Sequence, residues 1–289
     1  MLVVPSLVVV LASSGASVRY THVDCTTSAV MIFCHTVILL YSIHCEEFLR
    51  RKQYTMRREL LAQNKVFELL IYNLVPPQIV YKLRRGQTYL VTQHPDASVL
   101  FADIKGFTPL TASVPAIVLV GFLNTLFSAL DDLCIKEKVY KVNTIGDCYV
   151  VAAGVPTRIP YHAEATMEFA RKMLCTIVVV REDVSQFRPE FKDISMRIGI
   201  HSGAVTSGVV GKKSIRYEIW GKTVEKANKM ESLGVPMRIH CSQDTQTFLR
   251  YSYNFEYRAK LGTYLLIDSE EAQQEGIKKS RRTLEMLLT

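Results

Sequence analysis

The sequence predicts an α+β fold, a sheet covered by helices, preceded by a transmembrane helix and a coiled-coil-like linker helix. Three features lead there. Residues 26–45 contain no Lys, Arg, Asp or Glu, and about 20 such residues span a bilayer core. A step of three and four follows, up to Pro76 and Pro77. From residue 96 short β-rich runs alternate with helical stretches, a mixture that packs as a sheet with helices on its faces.

At 289 residues the chain holds one domain of ordinary size plus appendages. Mean hydropathy is +0.12, and the apolar excess sits at the front. The formal charge of +8 owes much to Arg50, Arg51, Lys52, Arg57 and Arg58. Basic residues beside a membrane span explain it without nucleic acid, and no RNP, zinc-finger or helix-turn-helix signature accompanies it. Seven cysteines with no C-x-x-C pair suggest neither a disulfide framework nor a zinc site, and fit a reducing compartment.

Residues 1–12 are apolar but short and lack a basic leader; a clipped span at the end of a longer gene fits equally well. Residues 26–45 are the clear span. Only Arg19 lies on its N-terminal side, so the positive-inside rule sets everything after residue 46 in the cytosol. Residues 46–77 form a linker helix with Leu49, Gln53, Met56, Leu60, Gln63, Phe67, Leu70 and Leu74 in line. That stripe suits a short coiled coil or a helix packed on its own domain. The prolines end it.

Residues 78–268 form the main domain. Ser98–Ala102 is an apolar strand, Pro115–Leu133 a helix with proline in its first turn, and Val139–Val151 two strands around a turn at Gly146-Asp147. Tyr161–Val180 is a helix, Ser195–His201 a strand, Thr223–Ser232 a helix, and Arg238–Cys241 and Tyr264–Ile267 strands. Residues 269–289 read as a charged, loose tail.

Two segments carry chemistry. In FADIKGFT (101–108) a strand delivers Asp103 to a glycine turn. A carboxylate there can hold a hard cation, and the amides of Gly106, Phe107 and Thr108 can cradle phosphate oxygens. In TIGDCYVV (144–151) Asp147 sits at a hairpin tip. Singly, each is explained by capping or turn formation. Together, two converging carboxylates can bridge two Mg²⁺ ions about 3.5–4 Å apart.

At this point the chain resembles the class III adenylyl/guanylyl cyclase family. FADIKGFT and TIGDCYVV match its two metal-Asp motifs at a usual spacing. MRIGIHSGAVTSGVVG (196–211), RYEIWGKTVEKANKMESLG (216–234) and NLVPPQIVYKLRRGQ (73–87) match further blocks, so the likeness covers residues 65–268. It implies a ferredoxin-like, palm-type sheet. It also implies a reaction in which the ribose 3′-hydroxyl of a nucleoside triphosphate, GTP or ATP, attacks its own α-phosphorus and releases pyrophosphate. By the same likeness, Asp103, Asp147 and the carbonyl of Ile104 hold two Mg²⁺ or Mn²⁺ ions, and Gly106, Phe107 and Thr108 contact phosphates.

The family builds its site between two halves, and here the chain departs from the pattern. The base-reading positions fall on Asn143 and Glu218, the transition-state Asn on Glu225 and the Arg on Lys229. A carboxylate at 225 repels a triphosphate, and lysine at 229 lacks the guanidinium fork. Ala204 stands where metal-carrying halves often have a phosphate-binding Arg. The chain therefore looks like the metal-carrying half of a heterodimeric pair. ANKMESLG with YKVNTIGDCYVV looks closest to alveolate membrane guanylyl cyclases, in which paired cyclase domains follow an ATPase-like region; a fragment of such a protein would suit this chain. Three readings stay open: an enzyme active with a complementary half, a silent pseudocyclase that regulates a partner, and a homodimeric cyclase with unusual residues.

Overall fold

The structure, a computed structural model, describes residues 22–87, 90–211, 215–268 and 270–288; the apolar stub at 1–12 lies outside the described residues. The chain divides into two compact units, one ending at Leu69 and one beginning at Leu70, ahead of the expected boundary at 78.

The first unit consists of helix α1 (His22–Leu74) for most of its length. The apolar stretch and the linker stretch thus form one uninterrupted helix. Val30, Ile32, Leu39 and Leu40 of the apolar part are exposed, as are Leu49, Met56, Leu60 and Phe67 of the expected stripe.

The second unit contains helix α2 (Pro77–Arg84) and strand β1 (Val91–Lys105), then helices α3 (Phe107–Ser113) and α4 (Ala116–Glu137), and strands β2 (Tyr140–Ile145) and β3 (Cys148–Ala153). Helix α5 (His162–Ser185), strands β4 (Ser195–Val210) and β5 (Arg216–Trp220), and helix α6 (Lys222–Ser232) follow. Strand β6 (Ile239–Ser242), helix α7 (Gln243–Phe248), strands β7 (Phe255–Arg258) and β8 (Thr263–Leu266) and helix α8 (Glu270–Leu288) complete it. The eight strands form one mixed sheet in the order β2-β3-β1-β4-β6-β8-β7, with β5 added to β4.

Alternation along β1 assigns the two faces. Leu100, Ala102 and Ile104 enter a core shared with Phe122, Leu126 and Leu130 of α4 and Phe169 and Met173 of α5. Val99 and Phe101 enter a second core with Ile79 and Val80 of α2 and Ala227 of α6. On β4, Met196, Ile198 and Ile200 face the first core, which turns Arg197 and Gly199 toward α6. A Cβ on Gly199 would stand 1.9 Å from the Glu231 nitrogen, so α6 rests its backbone directly on β4.

Four buried histidines join the layers. Ser98 Oγ lies 2.8 Å from His162 Nδ1 and 2.6 Å from Ser202 Oγ. Ser202 donates to Thr245, and Ser242 bridges Thr245 to His201. His240 lies 2.7 Å from both the Met230 carbonyl and Thr263 Oγ1, and His94 lies 2.8 Å from Ser207 Oγ.

Several expectations need correction. The strand expected at 98–102 runs from Val91; Pro95 and Asp96 hid its first half, and the ladder shifts register between His94 and Ala97 there, where proline is tolerated. The strand expected at 195–201 continues to Val210 through glycines. Strands β5 and β7 and helix α7 had not been anticipated. The expected loose tail is helix α8 over Glu270–Leu288. Arg281 donates to Asp183 and Glu182 of α5, both at 2.8 Å, Leu284 is buried, and Gly276 admits Cys175 so closely that a Cβ would meet its sulfur at 2.6 Å. Its few apolar residues, widely spaced among charges, concealed the docking face.

Two outcomes follow. Gly199→Ala forces α6 off β4 and costs about 2–3 kcal/mol, read as a lowered urea midpoint. Burial, as the first cause, holds His94, His162, His201 and His240 below the usual imidazole range. Their stabilising contribution is complete above the unfolded value near about 6.5 and is lost as pH falls toward the lowered folded values. The urea midpoint therefore drops between pH 7.5 and 5.5, and drops less in His240→Gln.

Candidate active site

Asp103 stands near the end of β1 with β4 on one side and β3 on the other. Ala102 pairs with Tyr149, which sets Asp103 beside Cys148 and next to Asp147. The β2–β3 turn is Gly146-Asp147, with Gly146 at φ 65°, as a tight hairpin requires. The two carboxylates thus lie at the same end of neighbouring strands, close enough for the charge of one to act on the other. Asp147 is raised above the usual carboxylate range by burial first and then by the charge of Asp103, with its own backbone amide and Arg197 opposing. The Cys148 thiol, pushed up to about 12 by burial and then by Asp103, Glu231 and Asp147, remains protonated and is a poor ligand.

This donor set suits a hard cation. Two adjacent carboxylates, one disfavoured as an anion by its neighbour, gain from a shared Mg²⁺ or Mn²⁺, which take oxygen ligands. Among the described residues no cluster of three or more His, Cys, Asp or Glu side chains is shaped for a metal, so further donors must come from backbone, water or substrate. Ile104, its side chain buried, follows Asp103 in the strand and has such a carbonyl.

Gly106 then leaves the strand at φ 93° and caps α3. Phe107 packs against the first core, and Thr108 is exposed. The amides of 106–108 therefore open the first turn of a helix adjoining Asp103, at its positive end.

The partner-type positions form two groups. Asn143 on β2 donates to Glu218 Oε2 on β5 at 3.2 Å, while its Oδ1 is buried without a hydrogen-bond partner. Both line a cleft of about 810 Å³ with Tyr140, Lys141 and Arg216. Glu225 and Lys229 lie one turn apart on the exposed face of α6. Ala204 is exposed, its carbonyl accepting from Thr223 at 2.6 Å.

Sequence reasoning missed Arg197 and Glu231. Arg197 is the register partner of Asp103, and its Nη2 donates to Asp103 Oδ2 at 2.7 Å. Glu231, 5% exposed, brings Oε1 within 2.9 Å of the same nitrogen. Burial and then the Asp103 charge raise Glu231 above its usual range, with Arg197 opposing. One signal was available: Glu231 falls on the helix stripe of Ala227 and Met230, where an acid is out of place unless paired.

The chain belongs to the family described as the Adenylate and Guanylate cyclase catalytic domain, whose model matches residues 90–266. It is 38% identical over 199 residues to the receptor-type guanylate cyclase gcy-28 of Caenorhabditis elegans, covering 69% of this chain and 15% of that protein. It is 33% identical over 242 residues to the guanylate cyclase soluble subunit beta-2 of Rattus norvegicus, covering 79% and 35%. The chain thus spans well under half the length of these relatives. The crystal structure of the dimeric guanylyl cyclase domain of the RhoGC fusion protein from the aquatic fungus Blastocladiella emersonii matches with TM-score 0.54 at 30% identity, over 62% of this chain and 98% of that one. The guanylate cyclase domain of RhGC from Catenaria anguillulae, solved with GTP, matches with TM-score 0.52 at 28% identity, over 62% and 100%.

Because Asp103 and burial disfavour the charged form of Asp147, Asp147→Asn relieves repulsion in the metal-free protein. The expected outcome is a Tm in EDTA higher by about 2–4 °C, by calorimetry; an excess of Mn²⁺ reverses the ranking.

Proposed function

We infer that this chain is the metal-carrying half of a membrane-held nucleotidyl cyclase, which cyclises a nucleoside triphosphate, GTP in preference to ATP, when joined to a complementary half. The observation that carries this is the placing of Asp103 and Asp147 side by side at one end of β1 and β3, beside the Gly106 turn. Asp103, Asp147 and the Ile104 carbonyl would hold two Mg²⁺ or Mn²⁺ ions. When bound, these neutralise the triphosphate and favour ionisation of the ribose 3′-hydroxyl.

The residues of the chain supply position and charge. A strand and a two-residue hairpin fix the carboxylates on rigid backbone. The amides of Gly106, Phe107 and Thr108 present donors to phosphate oxygens at the positive end of α3. Glu225 is anionic where a triphosphate would need a neutral or cationic neighbour, and Lys229 offers a point charge; both favour a partner that furnishes the other half. The choice of GTP draws support from the relatives named above, which are guanylate cyclases, one of them solved with GTP. A match of 40% over 160 residues to adenylate cyclase type 9 of Xenopus laevis makes ATP the competing substrate.

Helix α1 includes a stretch long and apolar enough to cross a membrane. Its following basic residues would hold the catalytic domain in the cytosol.

A second reading, a silent regulatory half, is favoured by Glu225, Lys229 and Ala204. The full chain, alone and joined to a complementary cyclase half, is assayed with Mn²⁺ and GTP or ATP. Cyclic product is expected only from the pair, with Asp103→Ala and Asp147→Ala each lowering kcat by about 10²–10³-fold or more. Output that survives either change establishes the silent reading; robust turnover by the chain alone makes it a homodimeric enzyme.

A further inference from the structure

Arg197 lies between two acids. Its Nη2 bonds Asp103 Oδ2 at 2.7 Å and stands 2.9 Å from Glu231 Oε1. The second contact is close but misaligned: Glu231 Oε1 and Arg197 Nε are both buried with no hydrogen-bond partner. Buried polar atoms are rarely left so, and each costs about 1–3 kcal/mol. Here the two are complementary, one donor and one acceptor on touching side chains. A turn of the guanidinium that releases Asp103 and lays its Nε and Nη2 fork on Glu231 satisfies both in a bidentate pair. Glu231 cannot back away, because α6 rests on Gly199, two residues from Arg197 on the same face of β4.

The charges agree with this exchange. Asp103, Asp147 and Glu231 with Arg197 sum to two negative charges, so each divalent cation that enters adds two positive charges beside the guanidinium. With the cation absent, Arg197 neutralises Asp103, the ligand it faces across the ladder. With the cation present, an arginine still on Oδ2 would hold a positive charge against it.

We propose that Arg197 is an exchangeable counter-ion of the metal site, bonded to Asp103 when no metal is bound and passed to Glu231 when metal enters. Arg197 and Glu231 are then positioning residues for the cation. This rests on reading Asp103 and Asp147 as metal ligands.

A double-mutant cycle on Mn²⁺ binding tests it, with the full chain in nanodiscs and free Mn²⁺ followed by its EPR signal. Wild type binds, and Asp103→Ala abolishes binding; if it does not, the metal-site reading falls and the exchange with it. Arg197→Met removes the competitor and tightens binding roughly tenfold, while Glu231→Gln removes the receiver and weakens it roughly tenfold, the scale of coupling between sites. In the Arg197→Met background, Glu231→Gln has little further effect, because Glu231 acts through the arginine. If the two changes add, Glu231 is only a distant charge; if both weaken binding, the pair is structural. Either result overturns the exchange and leaves the metal-site reading intact. Should Arg197→Met not fold, the double variant, which removes the buried Glu231 charge together with its partner, is compared with Glu231→Gln. It must bind Mn²⁺ about a hundredfold more tightly, the product of the two single effects, and equal affinity overturns the proposal.

Discussion

The antiparallel ladder between β1 and β4 is the reference for every functional position. It runs from Val91 opposite Gly208 to Lys105 opposite Ser195, and β3, β5 and β6 are each hung from one of its strands. Strand β3 pairs with the free side of β1 and brings the Asp147 turn to Asp103. Strand β5 pairs with the far end of β4 and carries Glu218 toward Asn143. A slip of one residue would exchange the faces of the strand. Asp103 would then enter the core of α4 and α5, and Ala102 or Ile104 would take its place. The two packed cores, one on each face, forbid that slip.

How much of this was legible in the sequence depended on the kind of signal. The β2–β3 hairpin, helices α4, α5 and α6, and the Asp103 and Asp147 segments were readable because periodicity and turn chemistry act locally. Where a non-local partner decides, the reading ran out. Strand β1 begins with Val91, Gln93, Pro95 and Asp96, polar and interrupted, and is a strand because β4 supplies its ladder. Helix α8 carries too few apolar residues to declare a face, and its packing depends on Gly276 meeting Cys175. Arg197 reads as one alternating position of an exposed strand, and only the arrival of α6 makes it a half-buried cation set between acids. The fold was therefore more legible than the site, since the site is made where four elements converge.

Polar groups are distributed unevenly through this fold. The serines, threonines and histidines between β1, β4, β6, α5 and α7 form a connected chain, as a buried network must if it is not to destabilise the core. At the strand ends holding Asp103 and Asp147 the rule is relaxed. Three acids share one guanidinium, and two polar atoms stay unmatched. Local disagreement with the rules that govern the rest of a fold is expected where binding chemistry sits.

Helix α6 has two audiences. Its inner face presents Glu231 to Arg197, while its outer face carries Glu225 and Lys229 one turn apart. Eleven residues of helix behave as one stiff rod, pressed on β4 at Gly199 and tied by the Met230 carbonyl to His240. Gly199 and His240 thus clamp the helix from within. With Glu231 held in place, only the guanidinium beneath it is free to turn, so the outward face that carries Glu225 and Lys229 is insulated from whatever happens at the carboxylates.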